Sequence, residues 1–347
     1  MALISCPQLQ ADIDNYFTAG NPALATEPNG LTKFLLSPLN TQGVLQSQVS
    51  SGSGKLRQVE LIYTPQYLES EISTSTSKSC TNANEKGQLS STYEITQGSG
   101  VQVQEKFDIG NMALMCKDNS LWFASRIQAM MRGLVNKMST VIATEAVALT
   151  GVFGTGDLNQ DGSAIALDQK VISTKRADGT IDPDGFQEIL FSSMNAAYPS
   201  VPFVFGFGDI YKYMQKINFG CCTNDGFDLA NFVSQNDLVF MADKKVSTAL
   251  GGINEFLTAG AGALQILTYN EFLGEFNTVN DESYKQGVIN DPETGLNFDI
   301  QIKNDCGTVY VSLKLDFKTV GLPDDMFAVG DPFAGVTYVN KYTITNP

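Results

Sequence analysis

The longest periodic pattern of apolar positions in the chain runs from Asp118 to Gly151 and predicts a single long helix. Apolar residues recur there at intervals of three and four: Ile127, Met130, Met131, Leu134, Val135, Met138, Val141, Ile142, Ala146 and Leu149. Asp118, Asn119 or Ser120 can cap its start, and Gly151 can end it. At 1.5 Å per residue, about thirty residues form a rod of roughly 45 Å. The pattern predicts either a long core helix of an α+β enzyme or the spine of an elongated subunit.

Two segments before this helix alternate between apolar and polar residues and predict β-strands: Lys55 to Thr64 and Gly100 to Gly110. Between them, Ser70 to Ser99 is dominated by Ser, Thr, Asn, Gln and Gly. This order predicts a long two-stranded arm with a polar tip. Because an isolated hairpin is marginally stable in water, such an arm needs a surface to lie on, and a neighbouring subunit can supply it.

Residues 1–54 precede this arm and are rich in Pro, Asn, Ser, Gln and Gly. A short helix is predicted near Asp12 to Phe17, and prolines interrupt the pattern on both sides of it. Phe34, Leu35, Leu36 and Leu39 favour docking of this segment on another surface over a disordered tail. We therefore expect an extended N-terminal arm.

The segments after the long helix alternate between helical and strand patterns. An amphipathic helix is predicted at Asp184 to Tyr198, and Asp209 can cap a second one. The runs VPFVFGF, LVFMA and ALQILTY predict buried strands, and LNFDIQIK and TVYVSLKLDFKTV predict strands after Leu296. DPETG, at Asp291 to Gly295, is a turn signal between strands. These patterns together predict an α+β fold.

Composition narrows the possible functions. Apolar residues make up 43% of the chain and charged residues 17%, which indicates a folded protein that can use part of its surface for contacts with other proteins. The net charge of −15 argues against a protein that grips nucleic acid. The sequence contains no histidine, so Ser-His-Asp and Cys-His catalysis and His-ligated metal sites are excluded. We expect no enzymatic activity, no cofactor and no membrane span.

One local motif, GTGDLNQDGSAIALDQ, has the spacing of a calcium-binding loop. Asp157, Asn159, Asp161, Gly162 and Asp168 occupy positions one, three, five, six and twelve, and the backbone carbonyl of Ser163 is available at position seven. Oxygen ligands at alternate positions can converge on one hard cation. Asp168 stands where such loops carry a bidentate Glu, and a plain Asn/Asp/Gly surface turn is the other interpretation. The candidate metal ligands are therefore Asp157, Asn159, Asp161, Ser163 and Asp168, with calcium as the ion.

The order of these parts resembles the major capsid protein of tailed double-stranded DNA bacteriophages, whose fold is shared with encapsulin shells. The resemblance covers the chain from about Lys55: an extended two-stranded loop, one long spine helix, the unit FQEILFSSMNAAYPSVPFVFGFGDIYKYMQKI, and β-strands that return at the end. It implies an N-terminal arm at 1–54 and an extended loop at 55–117. It further implies a spine helix and peripheral domain at 118–185, an axial domain at 186–285, and strands at 286–347 that complete the peripheral and axial sheets.

The resemblance also implies a function in assembly. The chain would form pentamers and hexamers of itself and build an icosahedral virion shell around double-stranded DNA in the host cytoplasm, with only non-specific contact to that DNA. Scaffolding, portal and accessory capsid proteins would be separate chains. The composition leaves open a second class, a calcium-binding extracellular surface-layer or adhesin subunit, which would account for the acidic charge and the loop at Asp157.

Overall fold

A computed structural model of the 347-residue chain shows how these segments fold. It describes residues 11–15, 29–37, 45–49, 58–63, 89–96, 98–108, 119–150, 171–173, 202–218, 239–260, 262–272, 284–305, 308–321 and 339–345. The predicted calcium loop, the predicted helix at Asp184 to Tyr198 and the proposed helix end at Gly151 lie outside these residues. Helices and strands both contribute extensively to the described part, so the predicted α+β class is confirmed.

The described strands and helices are the following. The strands are β1 (Leu45–Val49), β2 (Gln58–Tyr63), β3 (Leu89–Glu94), β4 (Gly100–Asp108), β5 (Val171–Ser173), β6 (Pro202–Gly206), β7 (Val239–Ala242), β8 (Glu255–Gly260), β9 (Leu264–Tyr269), β10 (Tyr284–Asn290), β11 (Asn297–Asp305), β12 (Thr308–Gly321) and β13 (Val339–Thr345). The helices are α1 (Gly30–Leu35), α2 (Asn119–Ala148), α3 (Asp209–Asn218) and α4 (Lys244–Leu250). Residues 11–15 form a further helical turn, as predicted. Among the described helices, none is both long and apolar enough to cross a membrane.

The chain divides into two compact units, each assembled from distant parts of the sequence. Unit 1 contains Met1–Glu27, Ile95–Val141 and Leu267–Lys318, and unit 2 contains Pro28–Glu94, Ile142–Ile266 and Thr319–Pro347. The boundary therefore falls inside α2, after Val141. The five-segment division drawn from the capsid resemblance stays a prediction.

The long helix is confirmed as α2, which has 30 residues and a length of about 45 Å. Its predicted apolar stripe is buried from Ile127 to Ala146, apart from the half-buried Val141. The burial extends beyond the predicted stripe, since the polar residues Gln128, Arg132 and Ser139, which are not part of it, are also buried. The exposed positions, at intervals of seven and four, are Arg126, Gly133, Lys137, Thr144 and Ala148. They form one narrow line, so the helix is covered on most of its circumference.

The two strands expected to form an extended hairpin exist, but they do not pair with each other. β2 pairs with β1 and β3 in a three-stranded antiparallel sheet, and β4 pairs with β12. The predicted two-stranded arm is therefore wrong in its pairing. The physical reason is burial: in β4, Val101 and Phe107 are covered within unit 1, where the Phe107 ring contacts the rings of Trp122 and Phe123. β3, with the sequence LSSTYE, lies in the stretch whose composition predicted a polar tip.

In unit 1, the sheet has the order β10-β11-β12-β4, and β9 also pairs with β12. β10, β11, β12 and β4 are each antiparallel to the next, and the turn at Asp291 to Gly295 joins β10 to β11 as predicted. One face of the sheet is apolar: Ile300 and the facing Leu313 are buried, and the half-buried Val103 continues their row on a third strand. The other face carries polar residues, because alternate side chains point to opposite faces of a strand.

In unit 2, the sheet has the order β5-β13-β8-β6-β7, with β5 and β13 parallel and β6 and β7 parallel. The predicted strand VPFVFGF is β6, and Phe203, Val204 and Phe205 are buried in it. The predicted strands LVFMA and ALQILTY are β7 and β9. Sequence patterns did not predict α4 and β8, which lie between them.

Candidate functional site

The polar face of the unit 1 sheet presents two ordered rows of side chains. Tyr284, Lys303, Tyr310 and Lys106 lie directly opposite one another on the four strands, and Gln286, Gln301, Ser312 and Gln104 form the next row on that face. All of them except Gln286 line a shallow open groove. We call these eight residues the Tyr-Lys face.

Residues of the Tyr-Lys face contact one another. The hydroxyl of Tyr284 donates to Oε1 of Gln286 over 3.3 Å, and Nζ of Lys106 lies 6.0 Å from the centre of the Tyr310 ring. Partial burial and the charge of Glu271 raise the pKa of Tyr284, and Lys314 opposes this effect. The hydroxyl of Tyr284 therefore stays protonated at neutral pH and can donate a hydrogen bond.

One end of this polar face is closed by an ionic cluster. Asp299 is buried and accepts hydrogen bonds from the backbone N–H groups of Glu271 and Phe272, at 2.8 and 3.2 Å. Lys314, directly opposite Asp299 in the register, forms an ion pair with Glu271 and lies 5.3 Å from the Phe272 ring centre. Burial raises the pKa of Asp299 more than the two hydrogen bonds and Lys314 lower it. The cluster fastens residues 271–272 to the sheet.

The buried part of α2 is fastened to unit 1 by an ion pair. Arg132, whose side chain is only 6% exposed, pairs with Glu293 in the β10–β11 turn. Arg126 on the exposed line of the helix pairs with Glu105 of β4. A guanidinium buried without a partner would be costly, so the Glu293 carboxylate accounts for the buried arginine.

In unit 2, one carboxylate joins two segments that are far apart in sequence. Oδ1 of Asp243 accepts from the N–H of Val246 over 2.9 Å and so caps α4. Oδ2 of the same residue accepts from the N–H of Leu31 over 2.8 Å, across a separation of 212 residues. Asn29, the residue before α1, makes no side-chain cap of its own. Asp243 therefore serves the N-terminal ends of both α1 and α4.

Close packing supports this junction. Asn29 and Asp243 form an isolated antiparallel β-bridge, and a Cβ on Gly30 would lie 2.7 Å from Cβ of Met241, so only glycine permits the approach. The Phe34 ring lies 4.0 Å from the Phe203 ring, centre to centre. Burial raises the pKa of Asp243, and hydrogen bonds from Val246 and Leu31 oppose the shift. The apolar patch expected to dock the N-terminal segment thus docks, at least through Phe34 and Leu35, on its own chain.

The predicted calcium ligands Asp157, Asn159, Asp161, Ser163 and Asp168 lie outside the described residues, and the calcium site stays a prediction. Within the described ranges, no group of three or more Cys, Asp or Glu side chains is arranged to hold a metal ion.

Sequence reasoning missed both the Tyr-Lys face and the Asp243 junction. A signal for the first was available, because the alternation in TVYVSLKLD that buries Val309, Val311 and Leu313 places Tyr310 and Ser312 on the opposite face. For the Asp243 junction, the sequence indicates only one of its two contacts. Asp243 before KKVSTAL is a recognisable N-cap, but nothing near it in sequence indicates its bond to Leu31.

Comparison with known proteins gives matches only among solved structures. No protein-family model and no curated protein matches the sequence. The capsid of the cyanophage P-SCSP1u is similar over 95% of this chain and 92% of its own, with 10% identity and a TM-score of 0.42. The capsid of Ralstonia phage GP4 covers 94% of both chains, with 8% identity and a TM-score of 0.42. A virus-like particle from Pyrococcus furiosus is similar over 75% of this chain and 83% of its own, with 12% identity and a TM-score of 0.35.

Proposed function

We propose that the chain is the shell-forming subunit of a virion, which assembles into pentamers and hexamers and encloses double-stranded DNA in an icosahedral capsid. The observation that carries the proposal is the arrangement around α2. A strand immediately before this 30-residue helix, β4, shares one sheet with the late strands β10, β11 and β12. An α/β segment lies between them in sequence, and β13 returns to the sheet of that segment. This element order agrees with the capsid architecture that the sequence resembles.

The same arrangement suits a structural subunit physically. α2 exposes only one narrow line of residues, and the rest of its described surface packs against other parts of the chain. A shell repeats each contact many times under closed symmetry, so individually modest interfaces suffice when each subunit keeps its shape. A rigid helix buried along most of its length provides that constancy.

The contact between subunits is proposed to be polar rather than an apolar hairpin laid on a neighbour. Val59 and Leu61 of β2 are each 2% exposed within the chain itself. Because these apolar positions are already covered, an apolar face of β2 does not require a neighbouring copy. The opposite face of the three-stranded sheet carries Glu60, Thr92 and Glu94, which are half-buried or exposed and can meet another subunit.

The net charge of the chain determines the kind of contact that we propose with DNA. With a net charge of −15, the subunit would enclose DNA without gripping it, and contacts to the packaged DNA would be non-specific. Scaffolding, portal and accessory capsid proteins would be separate chains. Assembly would occur in the host cytoplasm, and the role would be structural rather than enzymatic.

Sedimentation velocity and negative-stain electron microscopy of the purified chain test this proposal over a range of protein concentrations. We expect rings of five or six copies and closed shells of uniform diameter. Aggregates of irregular size would instead indicate non-specific association and would count against the proposal. A compact monomer at every concentration, with or without co-expressed scaffold candidates, would contradict the proposal.

A further inference from the structure

The Tyr-Lys face has the geometry of a binding surface for an extended segment. Neighbouring strands lie about 4.8 Å apart, so the four residues of the Tyr284 row span roughly 15 Å. The Gln286 row runs parallel to it. Amide and hydroxyl groups in that row can donate and accept hydrogen bonds, as an extended backbone requires.

The first row combines apolar surface with charge. The Tyr310 residue is 42% exposed, which is unusual among the aromatic residues that the structure describes, and Lys106 and Lys303 are exposed beside it. Within the described part of the chain neither lysine has a carboxylate partner, whereas Lys314 is paired with Glu271. Exposed tyrosine rings are enriched at protein-binding surfaces, and a lysine beside such a ring can pair with a carboxylate of the bound segment.

The charges around these lysines indicate the chemistry of the occupant. Asp305 and the buried Asp299 lie on the same face of β11, on either side of the two rows: Asp305 follows Lys303 and Asp299 precedes Gln301. Carboxylates in those positions would repel a polyphosphate chain, which is negative along its whole length. They tolerate a peptide that places carboxylates only over the lysines. The chain itself has 37 acidic residues against 22 basic ones, so another copy can provide such a peptide.

We propose that the Tyr-Lys face binds an acidic, extended segment of a second copy of this chain, with Lys106 and Lys303 holding its carboxylates and Tyr310 packing against it. The inference rests on the proposed shell function and adds to it one defined subunit contact. Charge complementarity between a lysine row and an acidic copy also steers association.

A charge-reversal pair tests the proposal. Lys106→Glu with Lys303→Glu should raise the protein concentration needed for half-maximal assembly by about tenfold or more, because like charges would then face each other. The matched control is Lys137→Glu with Lys212→Glu, which makes the same change in net charge at two exposed helix positions elsewhere. Circular dichroism and thermal unfolding of the monomers check that both double variants fold. Equal assembly of the two double variants would overturn the inference and leave the shell proposal standing.

A photo-crosslinker identifies the occupant directly. With p-benzoyl-L-phenylalanine in place of Tyr310, irradiation of the assembled chain should give an adduct of twice the subunit mass. Mass spectrometry should place the link in an Asp- or Glu-containing peptide of the second copy. An adduct with nucleic acid alone, or no adduct from assembled material, would overturn the inference. Failure of the unmodified chain to associate at any concentration would contradict the shell proposal as well.

Discussion

Replacing Asp243 by alanine removes one carboxylate from the ends of two helices, and we expect both helices to open. The carboxylate is 1% exposed and accepts from Leu31 and Val246 at 2.8 and 2.9 Å. In Asp243→Ala, both backbone N–H groups lose their partners while they remain buried.

The size of the effect follows from these two bonds. A buried donor left without a partner costs about 1–3 kcal/mol, and loss of an N-cap costs about 0.5–2 kcal/mol. Relief of the desolvated carboxylate offsets part of this, so we expect the free energy of unfolding to fall by roughly 2–4 kcal/mol. Asp305→Ala is the control, because Asp305 is exposed at the end of β11 and substitutions at such positions usually change stability by less than about 0.5 kcal/mol. Urea unfolding measures the difference between the variants.

Amide hydrogen exchange provides the decisive assay, because it resolves the two helices. In Asp243→Ala, exchange should accelerate in both Gly30–Leu35 and Lys244–Leu250, although more than two hundred residues separate them. Acceleration only in Lys244–Leu250 would refute the inference that Asp243 caps α1. Asp305→Ala should leave both segments unchanged.

Three further predictions use other features of the chain. Gly133→Ala should stabilise the protein by about 0.5–1 kcal/mol in urea unfolding, because the position is helical with open space around it. Gly100→Ala should destabilise the protein by about 1–3 kcal/mol, because a Cβ there would overlap a carbonyl oxygen of the facing strand. Equal changes in stability for the two variants would contradict this reasoning. Burial raises the folded-state pKa of Asp299 above 3.8, so folding favours its protonated form. The free energy of unfolding of the native chain minus that of Asp299→Asn should therefore be largest below pH 3.8, decrease as the pH rises through the raised pKa, and then stay constant. An increase of this difference over the same pH range would contradict the prediction. If the predicted loop binds calcium, excess Ca²⁺ should raise the melting temperature of the native chain but not of a variant with Asp157→Ala and Asp161→Ala, and equal melting in Ca²⁺ and in chelator would exclude the site.

Local pattern determined the type of the segments with the clearest periodicity. The three- and four-residue spacing from Ile127 to Ala146 was sufficient to predict α2, because a helix repeats every 3.6 residues and is stabilised by the face that it buries. Alternation was likewise sufficient for β2, β4, β11 and β12. These periodicities are properties of the backbone, so they can be read from neighbouring residues alone.

Tertiary structure decided which strands pair and which residues work together. The sequence predicted that β2 and β4 pair with each other in a hairpin. In the structure, β4 instead pairs with β12, which lies about two hundred residues later in the chain. Alternation specifies that a strand has an apolar face and not which other face will cover it. The same reason explains Asp243: its capping of α4 is local and readable, whereas its bond to Leu31 exists only because folding brings two distant helix ends to one carboxylate.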